Sequence, residues 1–106
     1  MNRMELEIYS EASNHAVIRA NGRRFPGSLV QGDSLSILCS ISRRISERLV
    51  LLGIVDEELL SDAQELQENL LNRILHYQAV LEKDQVDLPY ERRFTPSDLV
   101  QLLPEE

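Results

Sequence analysis

The side chains able to do covalent, acid–base or metal chemistry are few in this chain, and they do not converge. His15, His76 and Cys39 lie far apart in sequence, whereas a metal site needs three or four ligands at compatible spacing. His76 falls on the polar side of a helical pattern and reads as a solvated histidine. Cys39 sits beside an apolar helical stripe and reads as a small buried residue rather than a reactive thiol. Ser34 follows Gly32-Asp33 at a strand-to-helix turn, superficially like a nucleophile elbow, but the flanking glycine pattern and a base are missing. Gly27 and Gly32 lack the spacing and the lysine of a phosphate-binding loop. The residues therefore imply no catalytic group, no metal site and no cofactor.

The charges say more. The chain carries 18 acidic and 11 basic residues, a net charge of −7. Residues 1–55 hold seven arginines against five acids, and residues 56–106 hold four bases against thirteen acids. A general nucleic-acid binder needs clustered cations, which the acidic half does not offer. A basic protein partner, or simple solubility, suits it better. Glu58, Asp62, Glu65 and Glu68 share one helical face and form a candidate docking ridge, without the close clustering of a calcium loop. Arg23 and Arg24 beside Phe25 are a second candidate contact, for a carboxylate or phosphate or for the acids of a neighbouring strand, Glu5 or Glu7.

These groups must be positioned by an α+β fold, a single domain over residues 1–106. Met4 to Tyr9 alternates apolar and polar residues, the mark of a half-buried strand with Met4, Leu6 and Ile8 facing the core. Residues 15–20 form a second strand, and Asn21-Gly22 is a strong hairpin signal. The third strand spans residues 24–31 across the Pro26-Gly27 turn, completing a three-stranded antiparallel meander. Gly32 then frees the backbone and Asp33 caps a helix over 34–52, accepting the N–H of Leu35 or Ser36. Its apolar face is Leu35, Leu38, Ile41, Ile45, Leu49 and Leu52. Gly53 stops it at the C′ position.

The short connection that follows turns the chain back into an antiparallel second helix over 57–83, with Asp56 as cap. Leu59, Ala63, Leu66, Leu70, Ile74, Tyr77 and Leu81 form its stripe, and Leu38, Ile41, Leu66 and Leu70 are expected to meet between the helices. This helix spans about 40 Å, longer than its neighbour can cover. Ile74, Tyr77 and Leu81 thus need a further cover, and a homodimer through them is the expectation, with the tail as the alternative. Thr95-Pro96-Ser97-Asp98 starts a short C-terminal helix over 96–103. The beginning of the chain has Arg3 but no apolar run behind it, and no stretch approaches the roughly 18 residues of a membrane span. One cysteine suits a reducing compartment, so a cytoplasmic protein without membrane contact is expected.

The run Pro26-Gly27, then Gln31-Gly32-Asp33-Ser34-Leu35, with strands before it and a helix after, resembles the N-terminal domain of HicB-type antitoxins over residues 4–38. Where that family adds a further strand and a DNA-binding tail, this chain continues into a long acidic helix. The whole-chain pattern is also similar to a small bacterial family of unassigned function. The expectation is a non-catalytic interaction protein, of antitoxin or immunity-inhibitor type, that binds a basic partner through its acidic helical face. A homo-oligomeric accessory subunit is the alternative, and a small ligand-binding or enzymatic domain a second one.

Overall fold

The computed structural model describes residues 3–11 and 14–104, and the chain divides into two compact units, residues 1–31 and 32–106. The first unit holds strands β1 (Leu6–Ser10), β2 (Val17–Ala20) and β3 (Gly27–Ser28) in the order β1-β2-β3, all antiparallel. Glu7 stands opposite Arg19, and a register irregularity between Ile8 and Ser10 precedes the loop, part of which lies outside the described residues. Gly22 takes φ +84°, and Arg23 N–H donates to Ala20 O at 3.1 Å, so the Asn21-Gly22 turn forms as expected. β3 is far shorter than the expected 24–31: on its near side Pro26 has no N–H to add to a ladder, and past Ser28 the Leu29 N–H donates to Ala16 O. The expected burial of Met4, Leu6 and Ile8 does not hold. All three side chains are exposed, so this short sheet has no covered apolar face of its own.

The second unit is a helical hairpin with a tail. Helix α1 (Gly32–Leu51) ends in a Schellman motif: Gly53 takes φ +65°, Gly53 N–H bonds Val50 O, and Ile54 N–H bonds Leu49 O. Helix α2 (Glu57–Lys83) begins where expected, with the Asp56 carboxylate accepting Leu59 N–H at 3.0 Å. Its end uses the same device with a non-glycine residue, Gln85 at φ 58°, while Val86 N–H reaches back to Leu81 O. The expected helix over 96–103 is reduced to a 3₁₀ turn, Pro96–Asp98, followed by extended chain.

The helix faces depart from the apolar pattern. The residues meeting in the interior are Leu35 and Cys39 of α1, Leu71 and Ile74 of α2, and Phe94 of the tail, together with Ser36, Ser42, Ser46, Gln64, Gln67 and Gln78. The expected central cluster is not central: Leu38 is 44% exposed, Ile41 38% and Leu66 53%, and Leu70 is half-buried. Serine and cysteine at positions 36, 39, 42 and 46 are small, and small side chains let a helix approach its neighbour closely. Apart from Leu35, the large branched residues of α1 lie on a different side.

Gly32 and Asp33 also serve differently from expectation. α1 already begins at Gly32, so Asp33 sits inside the first turn, its Oδ1 accepting the adjacent Ser34 N–H at 2.8 Å. Gly32 has no positive φ. What excludes a side chain there is the phenol of Tyr77, which would overlap a Cβ at this position. Forced overlap costs about 1–3 kcal/mol, more than the few tenths that alanine gains at a helix start. Gly32→Ala should therefore lower unfolding stability by about 1–2 kcal/mol. In a Tyr77→Leu background the loss should vanish; chemical denaturation of the four proteins checks this, and an unchanged loss would rule out the phenol as its cause.

Candidate functional site

The helical hairpin has two contrasting sides. On one, three buried glutamines of α2 hold the tail by its backbone. Gln78, 1% exposed, donates from Nε2 to Phe94 O and accepts Phe94 N–H on Oε1, both at 2.9 Å. Its Oε1 also accepts the Tyr90 hydroxyl. Gln67 makes the same two-point clasp on Val100, Nε2 donating to Val100 O and Oε1 accepting Val100 N–H. Gln64 Oε1 accepts Leu102 N–H at 3.1 Å. A primary amide carries donor and acceptor side by side, so each clasp satisfies a residue's backbone as a neighbouring β-strand would. This is the physical reason that the tail stays extended beyond Asp98: the amides of Val100 and Leu102 are taken by glutamine rather than by a helical turn.

Charge closes the same side. Asp98 is buried and accepts Arg92 Nη2 and Arg43 Nη1 on one carboxylate oxygen and Thr95 N–H on the other. Burial alone would push its pKa up. The Arg92 hydrogen bond, the Thr95 N–H and the charges of Arg92 and Arg43 outweigh it and hold the carboxyl below its ordinary value. Arg92 also lies 5.5 Å from the Phe94 ring centroid. Cys39 Sγ donates to Leu70 O, and burial pushes its thiol up to about 11, so it stays protonated and unreactive at neutral pH. The cavity between Cys39, Arg43, Gln67 and Phe94 measures about 10 Å³, room for one water at most.

The other side of the hairpin is open. Leu38, Ile41 and Ile45 of α1, Leu52 just past its end, and Leu59 and Leu66 of α2 are exposed, with Leu49 and Leu70 half-buried between them. Along α1 the buried positions 35, 39, 42 and 46 and the open positions 38, 41 and 45 are separate 3–4 repeats, their mean directions turned roughly 100° apart at 100° per residue. Arg44 and Arg48 edge the open face on α1. Glu58 and Asp62 edge it on α2, with Glu65 beyond. Among the described residues none of these five belongs to an ion pair.

The residues singled out from sequence fall into three groups. Glu58, Asp62, Glu65 and Glu68 are all exposed along α2; the Glu68 carboxylate accepts Gln64 Nε2, and the Glu65 backbone carbonyl accepts Asn69 Nδ2. Arg23 lines a broad hollow of about 640 Å³ with Glu5, Glu7 and Arg19, while Arg24 lies over the Phe25 ring at 5.2 Å. The partner of Glu7 is Arg19, whose hydrogen bond lowers the Glu7 pKa. Ile74 is fully buried in its own hairpin, and Tyr77 and Leu81 are half-buried. These three therefore do not form a free oligomer surface; the tail, with Phe94, provides cover near Ile74 and Gln78. The glutamines were missed, although Gln64, Gln67, Leu71, Ile74 and Gln78 share one 3–4 repeat, and polar residues extending an apolar stripe are its signal. Among the described residues no three His, Cys, Asp or Glu side chains come together as a metal site, and no helix is long and apolar enough to cross a membrane.

Fold and site together define an α+β protein that pairs a small antiparallel sheet with a tail-clasped helical hairpin. The chain belongs to a family of unknown function (DUF6959), which matches it over residues 1–90 and so stops short of the clasped residues Phe94, Val100 and Leu102. No curated protein and no solved structure matches it.

Proposed function

We propose that this is a non-catalytic interaction protein that works through the open face of its helical hairpin. The observation that carries the reading is the run of exposed Leu38, Ile41, Ile45 and Leu66 beside an uncompensated acidic ridge. An apolar centre with a charged rim is the anatomy of a protein interface, and large contiguous apolar surface on a soluble chain marks a contact site. The matching partner brings apolar side chains and a basic rim to Glu58, Asp62 and Glu65. Occlusion of such a partner, as by an antitoxin or immunity-type inhibitor, requires complementary shape and charge and no reacting group.

Site-specific photo-crosslinking in the cells that naturally make the protein tests the reading. A photoreactive phenylalanine analogue at Ile45 should give a covalent adduct with a protein, and the same group at Asn72, on the solvent side of α2, should give none. Absence of any adduct at position 45 would overturn the proposal.

A further inference from the structure

We infer that the occupant of the open face is a second copy of the same hairpin, packed as a two-fold four-helix layer. The inference rests on the reading of that face as the interaction surface, and it names the partner. The first argument is charge. Cys39 Sγ bonds Leu70 O across the hairpin, which fixes the antiparallel levels of the two helices: Arg48 lies level with residues 61–62 and Arg44 level with Glu65. Arg48 borders the open face along α1 and Asp62 borders it at the same level along α2, so within one chain they stand on opposite edges and do not meet; Arg73, exposed on the α2 edge, lies three turns further along. A two-fold axis parallel to the helices preserves the levels and exchanges the edges. It lays α1 over the partner's α2, bringing Arg48 to the partner's Asp62. At the level of Arg48 and Asp62 the face is positive on one edge and negative on the other, and so it is self-complementary under that operation, as an isologous contact requires.

The second argument is area. Six leucines and isoleucines of the open face are 38–61% exposed, and soluble monomers rarely leave such a run uncovered. A standard stable interface takes roughly 800 Å² from each partner, and this face runs along both helices, from Leu38 to Leu52 and from Leu59 to Leu66. Leu38, Ile41 and Ile45 on α1, and Leu59, Leu66 and Leu70 on α2, recur at the 3–4 spacings that interdigitate in antiparallel bundles. The homodimer expected through Ile74, Tyr77 and Leu81 thus shifts along the hairpin, from the tail-covered end of α2 to its more exposed turns around Leu59 and Leu66.

Sedimentation analysis of the full chain across the micromolar range tests the inference. The expected result is twice the chain mass. Ile45→Glu and, independently, Leu66→Glu should give monomers with unchanged helical circular dichroism, since both positions are exposed. Arg48→Glu and Asp62→Arg should each weaken association about tenfold, and the double variant should restore it to within about threefold of wild type, because each charge then meets its opposite across the axis. A monomeric wild type overturns the inference, as does a dimer indifferent to Ile45→Glu and Leu66→Glu. An Ile45 adduct of some other mass in cells, with the isolated chain monomeric, overturns self-association and leaves the interaction reading standing.

Discussion

Replacing Gln78 by alanine should destabilise the helical unit by at least about 3 kcal/mol, because leaving a buried polar group unpaired costs about 1–3 kcal/mol. Gln78 is fully buried and satisfies both backbone groups of Phe94 and the hydroxyl of Tyr90. The alanine variant would leave the Phe94 N–H and C=O without partners, and it would open a cavity beside Ile74, adding a second cost. The result separates Gln78 from an ordinary surface glutamine. Gln101 is exposed and bonds only the nearby Leu103 O, so Gln101→Ala should fall within about 0.5 kcal/mol of wild type. Urea unfolding gives the two differences, and amide exchange at Phe94 locates the effect. A Gln78→Ala loss below about 1 kcal/mol would mean that the tail does not depend on this clasp.

The clasp also explains why the two helices were legible in the sequence and their packing was not. The limits of α2 are written in local chemistry. Asp56 can only help at a helix start, Glu57 and Glu58 suit the positive end of the dipole, and Gly53 supplies the left-handed stop of the preceding helix. Which face turns inward is not local. The apolar repeat of α1 correctly marks a helix and a hydrophobic face, but the neighbour chosen by α2 and the tail is the small-residue repeat around Cys39 and Ser46. Close approach and backbone hydrogen bonds won there over apolar area, and the larger face was left open. The tail failed for the same kind of reason. Pro96 and Asp98 do start a helical turn, as their types dictate, yet the next amides meet glutamines presented from residues more than thirty positions earlier. Gly32 was singled out correctly and explained wrongly, since the phenol that forbids a side chain belongs to Tyr77, on another helix. The acidic ridge, by contrast, needed only periodicity, and Glu58, Asp62 and Glu65 stand exposed where the helical repeat puts them.

Asp98→Asn should cost about 2 kcal/mol at neutral pH, and that cost should disappear in acid. The magnitude lies below the roughly 3–5 kcal/mol for breaking a fully buried ion pair. Only the carboxylate is buried, and the side chains of Arg92 and Arg43, 60% and 36% exposed, can return to water. The pH dependence follows from the lowered carboxyl pKa: the folded state holds Asp98 ionised to a lower pH than the unfolded chain does. Stability from this group is therefore fully present above the unfolded value near about 4 and is lost as pH falls through the lower folded value. Subtracting the asparagine variant from wild type removes the contribution of every other carboxylate. The difference in unfolding free energy should be flat from neutrality down to about pH 5 and should shrink below about pH 4. Amide exchange at Val100 should quicken in the variant, since the Asp98 contacts and the Gln67 clasp hold one continuous strand of tail. A difference that stays constant into strong acid would show that the carboxylate charge does not anchor the tail, and that its hydrogen bond to Thr95 alone accounts for the turn.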